Sequence, residues 1–309
     1  MFTARPRTEI GATDATSAPS PTERRLARPA AFARLAKLRI SALVLITTAV
    51  GYLVAIDGPV EPGRMIAALL GTALAATGAN ALNQVFERRL DARMKRTRER
   101  PLPTGQLGTI EATVFGVLVS IIGTAVLTIW VNALTAALGL LTVVLYAFVY
   151  TPLKRKTSLC TIIGAIPGAT PPVMGVTAAS GALGETSLWL FLVLFAWQMP
   201  HFYAIAWIYR DDYRKGGFPM LPVVDKTGRR TAIESIFFVL LMASASAMPA
   251  LRGSAGPAYL AAAVALGGLY LAAVLRFVTR PEKSSARRVF IVSILTLPAQ
   301  LGMMVLDWA

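Results

Sequence analysis

Nine apolar stretches constrain this chain more than any other feature. They lie at 40–56, 65–82, 110–131, 133–150, 159–179, 188–208, 233–250, 258–275 and 289–306. Each is close to the roughly 20 residues that an α-helix needs to cross a hydrocarbon core. Inside lipid the backbone must satisfy its own hydrogen bonds, so such segments can only be helices. The expectation is an all-α, polytopic membrane protein with nine transmembrane helices. Hydrophobic residues make up 55% of the chain and charged ones 15%, against about 25% charged in soluble domains. The single Cys and single His exclude a disulfide framework, a His/Cys zinc site and a cytochrome built on paired His ligands.

The net charge of +15 does not point to nucleic acid, because the basic residues alternate by connection. The N-terminal arm and every second loop hold 29 of the 31 Lys and Arg, leaving only Arg64 and Arg252 for the other side. Basic loops stay cytoplasmic, so the N-terminus is expected inside and the C-terminus outside. Residues 1–34 contain no apolar run and read as a disordered basic arm without the core of a signal peptide. Residues 35–309 read as one membrane domain.

Two of the inside loops, 83–108 and 209–232, are long. The first opens NQVFERRLDARMKRTRERPLPTG. Asn83, Glu87 and Asp91 lie four apart, so on a continuing helix they share one face. Oxygen ligands in a row suit Mg²⁺, which takes one or two carboxylates plus phosphate oxygens. Arg96, Arg98 and Arg100 follow and can clamp phosphate. Topology and anionic lipid would account for these arginines, but not for the acid–amide row beside them. The second loop carries adjacent Asp211 and Asp212 among Arg210, Arg214 and Lys215. Adjacent residues point about 100° apart on a helix, and a solvated, charge-compensated loop explains them about as well.

His201 follows Pro200 inside an apolar span, beside Trp197 and Gln198. A lone membrane His is more often a packing residue than a ligand, yet ionisable groups in spans are functional candidates, and neutral imidazole is an axial ligand for haem iron. Cys160 reads as a small buried hydrophobe. Lys154, Arg155 and Lys156 precede a span that Gly164, Gly168, Gly175, Pro167, Pro171 and Pro172 are expected to interrupt. Such residues line cavities or let helices pack closely.

The run RTRERPLP at 96–103, YTPLKR at 150–155 and WQMPHF…YRDDY…GFPMLPVV at 197–224 resemble the UbiA-type intramembrane prenyltransferases, and within them the haem-farnesylating branch. The resemblance runs from about residue 35 to the C-terminus. It implies nine helices around a central cavity open to the cytoplasmic side and to lipid. It also implies transfer of a farnesyl group from farnesyl diphosphate to a vinyl group of protohaem IX (haem B, a substrate rather than a cofactor), in the cell membrane. Asn83, Glu87 and Asp91 match the first Asn/Asp-rich motif, and Asp211 and Asp212 the second. The chain differs in having Glu87 where Asp is favoured, and adjacent rather than spaced aspartates in the second motif.

On this reading Mg²⁺ is held by Glu87 and Asp91 with Asp211 or Asp212. Arg96, Arg100, Lys154, Arg155 and Arg210 neutralise the diphosphate, and His201, with Trp197 and Gln198, holds the haem. The resemblance also implies a downstream haem-modifying enzyme or terminal oxidase assembly as partner. Three rivals stay open: an aromatic quinone precursor as acceptor, a membrane transporter, and a non-catalytic haem-delivery protein. A transporter would place binding groups near the midplane, whereas the acids cluster at one surface, with Glu111 and Glu234 at span ends.

Overall fold

The computed structural model describes residues 21–308, and these are helical apart from their connections. The helices are α1 Pro21–Ala36, α2 Leu38–Leu53, α3 Pro62–Asp91, α4 Thr109–Trp130 and α5 Ala133–Val144. A π-helical turn, Leu145–Tyr150, leads into α6 Thr151–Leu153. Then come α7 Cys160–Ser180, α8 Glu185–Ile208, α9 Arg210–Lys215, α10 Leu221–Val224, α11 Arg229–Leu251, α12 Pro257–Thr279 and α13 Lys283–Leu306.

Each of the nine apolar stretches is helical over most of its length. Among the described residues eight helices, counting α5 through α6 as one, are long and apolar enough to cross a membrane. The stretch expected at 40–56 is the shorter α2, which ends at Leu53, so Ala55 and Ile56 fall in a loop. Burial separates an inner from an outer layer. The most apolar part of α7 is 67% buried, whereas those of α4 and α12 are 28% buried. The outer helices show Ile110, Ile129 and Val264 to the surroundings, as lipid-facing helices must.

Two expectations are corrected. The arm 1–34 is not all disordered: its first twenty residues lie outside the described ones, but residues from Pro21 on form α1. Ala31 and Leu35, four apart on one face, are buried against Ala81, Val85, Leu102, Leu107 and Ala112. Gln84 Nε2 donates to Leu35 O at 2.8 Å, and Arg28 and Arg34 pair with Glu111 and Gln106. The second correction concerns the Pro- and Gly-rich span. It is not interrupted, for α7 runs through Pro167, Pro171 and Pro172. Inside a bundle, neighbouring groups serve the carbonyls that a proline leaves free.

The glycines of α7 serve close packing. A Cβ at Gly175 would lie 2.0 Å from Thr48 O, and one at Gly51 of α2 2.0 Å from Pro172 O. The α2 and α7 backbones therefore touch, in the manner of small-residue membrane interfaces.

Candidate active site

The acid–amide row forms as its spacing predicts, because α3 continues as one helix to Asp91. Asn83, Glu87 and Asp91 are all buried, at 1%, 5% and 1% exposure. They line a cavity of about 70 Å³ at the end of the bundle that carries the charged loops, with Lys37, Met94, Arg96, Thr97, Arg100, Tyr150, Lys154, Tyr213, Phe218 and Met220. That volume suits a headgroup rather than a fifteen-carbon chain. A wider cavity of about 570 Å³, lined by Asp57, Leu183 and Trp308, opens at the opposite end and carries no cluster of charged groups.

Each buried acid meets a cation. Lys154 Nζ lies 2.9 Å from Glu87 Oε1 and 4.4 Å from the centre of the Tyr150 ring. Arg100 Nη1 donates to Asp91 Oδ2 at 2.7 Å. Burial opposes the Lys154 ammonium, but Glu87 and the nearby Tyr150 and Tyr146 hold its pKa well above the usual lysine value. Asn83 Nδ2 donates to Thr151 Oγ1 at 2.9 Å. The π-helical turn sets the neighbouring Tyr150, a common use of such turns at functional sites. Tyr150 is so close to α7 that a Cβ at Gly164 would lie 2.5 Å from its ring.

The residues present fit a divalent cation. Asp91 Oδ1 is buried and has no hydrogen-bond partner, and Glu87 Oε1 has its ion pair but no well-aligned hydrogen bond. Two carboxylates with free oxygen valence, facing a cavity for phosphate oxygens, are the donor set that Mg²⁺ takes. No group of three or more His, Cys, Asp or Glu side chains comes together among the described residues.

Asp211 is exposed and pairs with Arg214 at 2.9 Å. Asp212 is half-buried on α9, and neither lines the cavity. The aspartates of the second motif thus stay out of the cavity that the first motif lines, although the next residue, Tyr213, enters it. Of the expected phosphate-binding cations, Arg96, Arg100 and Lys154 line the cavity and Arg155 and Arg210 do not. Arg155 is exposed. Arg210 lies over Trp207 and donates to Asp225 O at 2.9 Å. Arg96 sits 5.2 Å from the ring centres of both Tyr209 and Tyr213, and donates to Tyr213 Oη at 3.0 Å. This tie joins the two long loops over the cavity.

Lys37 was not among the sequence candidates. It breaks α1 from α2 in the left-handed conformation, φ 53° and ψ 54°. It is the one non-glycine with positive φ among the described residues. Such strain persists where the surroundings hold it, often at functional sites. The break brings Nζ to 3.4 Å from Asn83 Oδ1. Burial, then Arg100 and Lys154, push its ammonium down to about 7, against the pull of Glu87 and Asp91. Nothing local in the sequence marks this lysine, because its role depends on the helix break.

The expected haem group divides. His201 is half-buried and turned toward α13, where Nδ1 lies 2.7 Å from Ser293 Oγ. Trp197 shares that face and donates from Nε1 to Ser293 O at 2.8 Å. Gln198 instead turns to α7, donating to Ala165 O at 3.0 Å and filling the space beside Gly168. Cys160 is buried as expected.

Comparison with known proteins accords with this arrangement. The UbiA prenyltransferase family matches residues 44–297. A protoheme IX farnesyltransferase of Solibacter usitatus is 42% identical over 285 residues, 89% of this chain and 98% of that protein. The mitochondrial protoheme IX farnesyltransferase of Homo sapiens is 38% identical over 277 residues, 89% of this chain and 62% of that protein. Among solved structures, a digeranylgeranylglyceryl phosphate synthase superposes with a TM-score of 0.77 at 17% identity, covering 91% of this chain and 98% of that one. A UbiA homologue from Archaeoglobus fulgidus bound to DMAPP and Mg²⁺ gives 0.63 at 17%, covering 88% and 98%. The family match spans most of the chain, relatives about 40% identical cover nearly all of it, and the helical fold superposes on solved structures: this protein belongs to the UbiA prenyltransferase family.

Proposed function

We propose that this membrane protein transfers the farnesyl group of farnesyl diphosphate to a vinyl group of protohaem IX. The reaction class follows from the family and the acceptor from relatives about 40% identical over nearly their full length, such as the Solibacter usitatus protein. The observation that carries the chemistry is the buried pair Glu87 and Asp91, facing a cavity with Lys37, Arg96, Arg100 and Lys154 around it.

Glu87 and Asp91 would hold Mg²⁺, which supplies fixed positive charge to the diphosphate. Lys37, Arg100 and Lys154 stabilise the charge that grows on the diphosphate as the allylic C–O bond breaks and its electron pair departs with the leaving group. Preorganised charge at a developing anion is usually the largest catalytic contribution. Arg96, held between Tyr209 and Tyr213, closes the cavity from the loop side. Met94, Phe218 and Met220 exclude water, which protects the allylic cation from capture. The terminal vinyl carbon attacks that cation. Water adds to the resulting cation beside the porphyrin and loses a proton, leaving a hydroxyethylfarnesyl group. The farnesyl tail runs away from the charged end, between apolar helices.

The alternation of basic loops supports a charged end and an N-terminus on the cytoplasmic side of the cell membrane. The prenylated haem then passes to a haem-modifying enzyme or terminal oxidase assembly. The test is mass spectrometry of haem extracted after incubating purified protein in nanodiscs with protohaem, farnesyl diphosphate and Mg²⁺. A farnesylated, hydrated haem is expected. Prenylation of an aromatic quinone precursor instead of haem would overturn the acceptor, and no transfer to either would overturn the enzyme reading.

A further inference from the structure

Lys37 is the single residue between α1, which ends at Ala36, and α2, which begins at Leu38. The last carbonyls of a helix have no partner within it and must find one elsewhere. Two of those that close α1 are served by side chains from other helices. Gln84 Nε2 on α3 donates to Leu35 O at 2.8 Å, and Ser41 Oγ on α2 donates to Ala36 O at 3.1 Å. Lys37 O then accepts from Ser41 N at 3.2 Å, which opens the ladder of α2. A left-handed non-glycine residue persists only where its surroundings hold it, and these bonds lie directly on either side of it.

Packing alone does not call for these two polar side chains. Gln84 and Ser41 are both buried. Ala81 and Val85, on either side of Gln84 along α3, already pack against Ala31 and Leu35 of α1, and Phe32 meets Phe115 of α4 at 4.8 Å. An apolar residue at position 84 would keep those contacts but leave the Leu35 carbonyl buried and unserved, which is costly. The amide thus contributes what apolar contact cannot, a fixed place for α1 to stop. Its neighbour Asn83 meets the other side of the same feature, with Oδ1 at 3.4 Å from Lys37 Nζ. Two successive residues of α3 therefore grip the break, one by the backbone before it and one by the side chain at it. Neither Gln84 nor Ser41 lines the cavity.

We propose that Gln84 and Ser41 are positioning residues, which hold the helix break at Lys37 and so keep its ammonium in the cavity beside Asn83. A lysine carries its charge on a flexible stem, so the place of that charge is only as well defined as the backbone beneath it. Charge helps an anion form only where it is already in position. The inference rests on this cavity receiving the diphosphate. It deepens that reading by naming two residues outside the cavity that act on the substrate through Lys37.

The test is calorimetric titration of farnesyl diphosphate, with Mg²⁺ present, into the full-length protein in nanodiscs. Gln84→Met, similar in length but without the donor, is expected to weaken binding about fivefold, the scale of one net hydrogen bond. Ser41→Ala is expected to weaken it about twofold, while Ser41→Thr, which keeps the hydroxyl, stays near wild type. Gln84→Met and Ser41→Ala are then repeated in a Lys37→Met background. Neither should lower affinity further there, because residues that act through one group are not additive. A residue that only supports the fold would cost the same in both backgrounds. Thermal unfolding shows which variants fold, and if Gln84→Met does not, the Ser41 variants carry the comparison. Equal losses in both backgrounds would overturn the positioning role, as would wild-type affinity in Lys37→Met or in both Gln84→Met and Ser41→Ala. If wild type still binds farnesyl diphosphate in those cases, the diphosphate reading stands while this inference fails. Wild type that does not bind it would overturn both.

Discussion

The two long basic loops begin alike and end differently. Each follows the charged end of a helix and carries acids among arginines, yet only the first puts its acids into the site, the second lending Tyr213, Phe218 and Met220 to the cavity wall. In the first, α3 continues unbroken through Asp91, so acids spaced four apart stay on one inward face and are buried. In the second, the chain turns at Tyr209, where φ is −103° and ψ is 27°, before the six residues of α9. Asp211 then points outward to Arg214. A motif of acids becomes a site only where the helix that carries it persists and its face is covered. The buried acid pair also draws in cations from three separate elements: Lys37 from the α1–α2 break, Arg100 from its own loop and Lys154 after α6. No such convergence surrounds Asp211.

Three substitutions would break or sharpen this contrast. The largest effect is expected from Asp91→Ala, which should lower farnesyl transfer on the order of 100-fold or more, measured as haem product per minute. In the same assay Asp211→Ala should change it no more than about fivefold, since an exposed ion pair contributes little. An equal loss in Asp211→Ala would show that α9 moves to join the first motif during turnover. Next, Lys37→Met keeps the alkyl stem but removes the ammonium. It should weaken binding of farnesyl diphosphate about 10-fold, as expected for a hydrogen bond to a charged group, in a calorimetric titration with Mg²⁺ present. Unchanged affinity would return Lys37 to a purely structural place at the helix break.

The smallest effect concerns the acid of the second loop that is well partnered. Asp225 accepts from Gly228 N at 3.0 Å, from Thr231 N at 2.8 Å and from Thr231 Oγ1 at 2.8 Å, at the start of α11. Burial alone would raise its pKa, but the hydrogen bonds from Thr231, Thr227 and Gly228 outweigh it and hold the carboxyl below the ordinary value. Asp225→Ala should therefore cost about 1 kcal/mol at neutral pH, in line with other helix N-terminal caps. The sign follows from linkage. A depressed carboxyl stabilises the fold above its unfolded value, and that contribution fades as pH falls through the folded one. Thermal unfolding in detergent should thus separate wild type from Asp225→Ala at neutral pH and bring them together in acid. A gap that persists in acid would mean that the side chain packs rather than caps.

Much of the architecture was legible because it is local. Apolar runs near 20 residues can only be helices in lipid, and the four-residue spacing of Asn83, Glu87 and Asp91 needs only the helical period to place them together. The WQMPHF…GFPMLPVV stretch likewise carried the family without any contact being known. The errors were also local readings, made where distant packing decides. Pro167, Pro171 and Pro172 look like breaks, but α7 lies between α2 and α8 and stays helical. The polar composition before residue 35 looks disordered, but Ala31 and Leu35 find apolar partners more than forty positions away.

The sequence by itself determined the helical class, the membrane setting, the acid row and the family, because each follows from composition, period or motif along the chain. Only the tertiary structure decided which charges meet. It brought Lys37 to Asn83, kept Arg155 and Arg210 out of the cavity and turned Gln198 away from His201. The physical reason is that a side chain's partners depend on how whole helices cross and where they break. Those choices are made by packing summed over the bundle and leave no mark on any single stretch of residues.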